Sequence, residues 1–403
     1  MCALTRAVSL QTALLIVCML LFPLAITSRV QAQTFTLLHS FTGGRGDGAN
    51  PFASLTRDKA GNLYGATLHG GAGHDAGTVF KLDTTGTMTI LYNFTGERGD
   101  GKGPDSGLVR DPAGNLWGTL PNGIGHPFSL GFVYKISPAG KETKPHVFTG
   151  PTSDGSNPQA GLIRDPAGTF YGTTAGGGSN FAGTVFKLDA GNETVLYSST
   201  GTNGDGAYPE APLVRDLDGN LYGTTMSGGV NTVGTVFKLD TSGQETVLHA
   251  FNGADGGQLA AGLILDRAGN LYGTTISGTT AAGTVFKVDT TGKNFSTLYS
   301  FSGGADGSNP LGPVVMDKKG NLYGTTQFGG NLSCGSNHQG CGVVFKLSPV
   351  GKETVLHRFS GSDGKIPSSG LIRDAAGNLY GTALRGGVQC SASGCGVIFK
   401  IKP

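Results

Sequence analysis

Few residues in this 403-residue sequence have chemistry within reach, and most of those recur at a fixed spacing. Five that do not recur are His69, His74, Asp75, His126 and His338, which fall in Gly-rich segments that vary in length from copy to copy. An imidazole or carboxylate there can bind a ligand or move a proton, and variable loops on a repeated scaffold are where such work is usually placed. Arg57, Arg110, Arg164, Arg215 and Arg373 occupy one position of the repeat, with Leu265 and Met316 in its other two copies. Planar guanidinium groups gathered at one mouth of a central channel would hold a carboxylate or phosphate. The alternative is a repeated pairing of each Arg with the adjacent unit. Asp58 and its six counterparts stand before the same turn in every copy, and a carboxylate present in every copy is a turn cap rather than a catalytic acid. A second repeated carboxylate, Asp47 and its counterparts, lies in a G-x-x-D-G segment that reads as a turn between units, with weak calcium binding as the alternative. Lys81 and its counterparts read as side chains laid over apolar surface. No Ser nucleophile elbow, paired-carboxylate motif or H-E-x-x-H appears, and no catalytic residue, metal or cofactor is assigned.

The elements that must position these residues follow from the repeat. The core N-L-Y-G-T-T realigns at Tyr64, Trp117, Tyr171, Tyr222, Tyr272, Tyr323 and Tyr380, in steps of 50 to 57 residues, and V-F-K follows each copy. A period near fifty made of short β-rich runs separated by Gly, Asp and Asn predicts propeller blades, since no 3.6-residue apolar period is present. In the fourth unit, 211–215, 220–225, 235–240 and 245–251 read as strands a to d. The segment 34–41 reads as a strand d without its a, b and c, and 396–402 as a strand c without its d. The expectation is an all-β, seven-bladed β-propeller of four-stranded blades, closed by pairing the N-terminal strand d with the C-terminal strands a-b-c, which leaves no bare edge. His39, His249 and His357 take the strand d position that Tyr fills in other blades and read as packing residues.

Residues 1–32 read as a signal peptide: Arg6, an apolar run from Leu14 to Ile26, and small residues at a cleavage point after Ala32. That run is short for a membrane span, which leaves 33–403 as the propeller. Export would carry Cys334, Cys341, Cys390 and Cys395 into an oxidising compartment. They bracket the b-to-c loops of blades 6 and 7 and predict two local disulfides, against the alternative of a zinc site with His338. With Lys+Arg 29 against Asp+Glu 27, there is no charge excess to draw nucleic acid.

Units of the form G-L-[IV]-R-D-x-A-G-N-L-Y-G-T-T, G-T-V-F-K-L-D and E-T-V-L-H-x-F-x-G-x-x-D-G-x-x-P closely resemble the Gloeo-Verruco (GloVer) tandem repeats of secreted bacterial proteins. The resemblance implies export and tandem-repeat structure and carries no established activity. With the last strand ending at Lys402, a secreted or periplasmic form is expected over an anchored one. The expected function is non-catalytic binding of an extracellular ligand, glycan or protein, through the long-loop face. The alternative is a lyase, lactonase or glycan-active enzyme using His69, His74, Asp75 or His126 as acid or base.

Overall fold

Leucines, aromatics and β-branched residues fill Leu63–Thr67 and Thr78–Leu82, and the two segments pair along their length, with Leu63 opposite Leu82 and Thr67 opposite Thr78. In the computed structural model, Thr56–Arg57 adds to one side of this hairpin and Met88–Asn93 to the other, completing a four-stranded antiparallel sheet. This is blade 1, with strands a to d in that order. The structure describes residues 33–72, 75–97, 99–121, 130–150, 152–335, 338–387 and 394–403. Seven such sheets follow one another, so the fold is the expected seven-bladed propeller. Among the described residues there is no α-helix, and no helix is long and apolar enough to cross a membrane.

The last blade is built from both ends of the described chain. Ile372–Arg373, Leu379–Ala383 and Val397–Lys402 supply strands a, b and c, and Thr34–Ser40 supplies strand d. Thr34 lies opposite Lys402 and Ser40 opposite Val397, which covers an edge that would otherwise offer free N–H and C=O groups.

The repeated motifs are explained by what they touch. The Gly of L-Y-G-T-T is required by close approach, because a Cβ added at Gly172 would stand 2.6 Å from Phe186 Cζ. That Phe, from strand c, lies flat against strand b and meets the buried Phe that ends strand d of the preceding blade. The pairs Phe41–Phe80, Phe148–Phe186 and Phe301–Phe345 have centroids 5.1 to 5.4 Å apart, in edge-on geometry. Truncating such a ring to Ala costs about 3–5 kcal/mol. The Thr after the Gly ties each blade to the next: Thr119 Oγ1 donates to Ala160 O at 2.7 Å, and Thr325 Oγ1 donates to Ser369 O at 2.8 Å. Blade 1 has Ala66 there and makes no such bond from it.

Candidate functional site

Strand a is the innermost strand, and the residues that lead into it from all seven blades line one axial cavity of about 290 Å³. Its deepest ring is made of small residues, among them Ser54, Gly107, Gly161 and Gly370. Here neighbouring backbones touch: a Cβ added at Gly161 would lie 3.0 Å from Gly107 O, and Gly370 N donates to Ser54 Oγ at 3.0 Å. The ring at the mouth behaves differently. One residue per blade lines it, in order Phe52, Asp105, Gln159, Glu210, Ala260, Leu311 and Ser368, and no two are alike. The long polar side chains fall together on blades 2 to 4, and Phe52 and Leu311 stand on the other arc with the small Ala260 and Ser368. Met226, just after strand b of blade 4, joins the lining and puts the mouth on the face of the b-to-c loops.

The acidic arc is electrostatically unsettled. Burial pushes the Asp105 carboxyl up to about 7, against its own backbone N–H, and the Glu210 charge adds to the shift. Asp105 Oδ1 is shielded from solvent and has no hydrogen-bond partner within the protein. Burial raises Glu210 as well. At neutral pH Asp105 is poised between acid and carboxylate and can donate to, or accept from, a group entering the mouth.

The residues expected from sequence are dispersed. His69 Nδ1 lies 3.4 Å from Asp75 Oδ2, an ion-pair distance, with both side chains well exposed. Asp75 is held locally, because Gly70 N donates to its Oδ1 at 2.7 Å. His338 is an exposed residue of the blade 6 loop and sits at φ 57°. His74 and His126 lie outside the described residues. The arginines sit in the seams between blades, and none lines the axial cavity. The Arg57 guanidinium is 5.7 Å from the centre of the Tyr380 ring of blade 7, and Arg110 is equally placed over Tyr64 of blade 1. Arg164 borders a turn-face cleft of about 480 Å³ with Lys135, Trp117 and Phe170. Charge from Arg215 bears on Asp165 of the preceding blade, and charge from Arg373 on Tyr323. The lysines likewise lie over rings, Lys135 at 5.2 Å from Trp117 and Lys400 at 5.6 Å from Tyr380. Cys334 and Cys341 form a disulfide across the blade 6 loop with Cα atoms 5.5 Å apart. Cys395 is also disulfide-bonded, and its expected partner Cys390 lies outside the described residues.

Both repeated aspartates are occupied by structural hydrogen bonds. Burial pushes the Asp58 carboxyl up, but Asn62 and Tyr64 donate to it at 2.8 to 3.0 Å and hold it below its ordinary value. The interblade aspartate accepts the backbone N–H that follows strand d together with the His or Tyr of that strand. In blade 7, Asp47 takes Thr42 N at 3.0 Å and lies 3.2 Å from His39 Nε2, and Tyr197 donates to Asp205 at 2.9 Å in the equivalent place. The strand d histidines therefore pack and hydrogen-bond at once.

Sequence reading passed over Asp105 and Glu210 because each follows a Pro in a segment that reads as connection. The available signal was the column itself, which follows a Pro in six copies and Leu259 in the fifth, and which holds seven different residues.

Known proteins of similar shape are large. The extracellular domain of a hybrid two-component system from B. thetaiotaomicron matches with a TM-score of 0.55 at 13% identity, over 88% of this chain and 39% of that one. The extracellular domain of a one-component system from the same organism gives 0.53 at 13%, over 92% and 42%. The GH74 enzyme of Niastella koreensis gives 0.56 at 15%, over 91% and 53%. The chain thus spans about half or less of each of these relatives, and at such identities the likeness shows the propeller fold alone. Among curated proteins there is no match. The profile of the Gloeobacter/Verrucomicrobia repeat matches residues 25–216 and 208–403, nearly the whole length, and the chain belongs to that family.

Proposed function

We propose that the chain is exported after cleavage near Ala32 and acts as a non-catalytic binding propeller, taking an extracellular glycan or peptide at the axial mouth on its long-loop face. The observation that carries this reading is the mouth ring, where a strongly repetitive chain places seven different side chains around one cavity. Packing between equivalent blades demands equivalent residues, so a ring that lines a shared cavity and yet never repeats is free of that demand and available to a ligand. Its two arcs suit a ligand with a hydroxyl or cationic group toward Asp105, Gln159 and Glu210 and an apolar portion toward Phe52 and Leu311. The loops bearing His69, Asp75 and His338 would add outer contacts.

The same acids support a second reading as an enzyme, because a carboxyl held at about 7 beside a second raised carboxyl is suited to general acid catalysis. Screening the mature chain on glycan and peptide arrays, beside an esterase, lactonase and glycosidase panel, separates the two. The binding reading expects a ligand whose affinity drops at least tenfold in Asp105→Asn/Glu210→Gln, with no turnover. Turnover abolished by Asp105→Asn would replace it with the enzyme reading, and ligand binding indifferent to both substitutions would remove the mouth from either.

A further inference from the structure

Each interblade seam brings together the His or Tyr of one strand d, the following interblade Asp, and the first inward residue of the next strand d. The pairing across the seam obeys a rule in six of the seven seams. Tyr92, Tyr197 and Tyr299 face Glu142, Glu245 and Glu353. His249 and His357 face Phe295 and Phe35, with ring centroids 3.6 and 3.9 Å apart, and in the His39 seam the equivalent position of the repeat holds Met88. The exception is the seam between blades 2 and 3, where His146 faces Glu193. Donor atoms of His146, Asp154 and Glu193 lie within 4.8 Å of one another, and among the described residues no other group of this kind occurs.

We propose that His146, Asp154 and Glu193 form a divalent-metal site of the zinc class. Three observations converge on it. Glu193 Oε1 is shielded from solvent and has no hydrogen-bond partner, as is true of Glu142, Glu245 and Glu353 Oε1 in the Tyr seams, but only at Glu193 is the facing group an imidazole. Two donors on one tetrahedral zinc, each about 2.0–2.1 Å from it, lie about 3.3 Å apart. His146 Nε2 and Asp154 Oδ1 are 3.4 Å apart, the widest of the four His–Asp pairs, against 3.2 Å for His39–Asp47 and 2.9 Å for His249–Asp255 and His357–Asp363. Finally, the seam between blades 1 and 2 already holds a cation against its Glu, since Lys144 is ion-paired to Glu142. The residue two positions beyond Glu193 is Val195, so the carboxyl there meets no ammonium from that position.

The donor chemistry explains why the Tyr seams are different. A neutral phenol is a weak ligand for zinc and its hydroxyl is engaged with the interblade Asp, whereas a neutral imidazole nitrogen is among zinc's preferred donors. Asp154 keeps its place without metal because Thr149 N and Gly155 N both donate to it at 2.7 Å.

The test is titration of the mature chain, residues 33–403, with Zn²⁺ alone by calorimetry and with Co²⁺ by visible absorption. One saturable equivalent is expected. His146→Tyr and Glu193→Phe each install a residue that another seam already carries, so both should fold, and each should weaken Zn²⁺ binding at least ~100-fold. Tyr197→His would recreate the donor set beside Asp205 and Glu245 and raise the bound metal to two equivalents. Absence of saturable binding in the unmodified chain, or undiminished binding in folded His146→Tyr, overturns the site.

Discussion

The seam between blades 4 and 5 and the seam between blades 2 and 3 are built on one plan and solve it in opposite ways. In the first, His249 Nε2 donates to Asp255 Oδ2 at 2.9 Å, and the His249 ring is covered by Phe295, whose ring is parallel to within 2° and packs on Phe251 and Phe286. In the second, the same histidine position meets a carboxyl that burial holds up at about 7 and that leaves one oxygen unpartnered. The first seam is closed by dispersion and area and the second is held ready for a proton or a cation. Repetition in this chain therefore marks structure, and a departure from it marks a place released from structural duty. The mouth ring shows the same thing at the axis, where no two blades agree.

The largest effect should come from breaking the closed seam. Phe295→Ala removes the ring stacked on His249 and should lower stability by about 3 kcal/mol, read from denaturant midpoints at constant m-value. A loss no greater than that of Glu193→Ala would abolish the contrast between the seams.

Next comes the element both seams share. Asp154→Ala leaves Thr149 and Gly155 N–H groups without an acceptor and should cost about 2 kcal/mol, with Asp255→Ala similar. Unequal losses would mean that the interblade Asp is not doing the same job in each.

The pH dependence sharpens the comparison further. Burial first, and a neighbouring Asp second, raise Glu193, Glu245 and Glu353 from 4.5 to about 7. The folded state binds these protons more tightly than the unfolded chain does. The stabilisation is thus complete below about 4.5 and is lost as pH rises toward 7, after which the curve levels. In metal-free protein, Glu193→Gln should make that decline shallower without abolishing it, because Glu245, Glu353 and Asp105 contribute to it as well, and thermal unfolding across pH 4 to 8 measures the change. Opposing limbs come from Asp47, Asp154 and Asp363. Burial raises these carboxyls, but hydrogen bonds from His and backbone N–H groups outweigh it and hold them low, so their stabilisation disappears only as pH falls below 3.8. A stability profile flat from pH 4.5 to 7 would contradict the seam assignment.

The smallest effect belongs to Glu193→Phe, which replaces a buried unpaired acid by the ring found in the closed seams. At neutral pH without metal, it should be neutral or stabilising by about 1 kcal/mol, seen as an unchanged or raised melting temperature. A clear loss of stability would show that Glu193 has a partner in the packing after all.

Fold and site were not equally legible in the sequence. Blade number, strand order and ring closure could be read because one-dimensional spacing suffices for them: Tyr64 to Tyr380 count the blades, and the incomplete strand sets at 34–41 and 396–402 complement each other. The site was harder to read because it is made of residues a blade or more apart. Asp105 and Glu210 are separated by two whole blades in sequence and meet only around the axis. His146 gains significance only from Glu193, across a seam that no local pattern announces. The loop residues His69, Asp75 and His338 drew attention by being irregular, and in the structure His69 and Asp75 pair with each other in the blade 1 loop while His338 stands exposed in the blade 6 loop.

The central claim is that ligand enters where the blades cease to be copies. A crystal structure of residues 33–403 with a ligand taken from the array screen tests it most directly. The account predicts density in the axial mouth, between the Asp105–Gln159–Glu210 arc and the arc of Phe52 and Leu311. Density confined to the turn face near Trp117, or to the outer loop tips with the mouth empty, would contradict it.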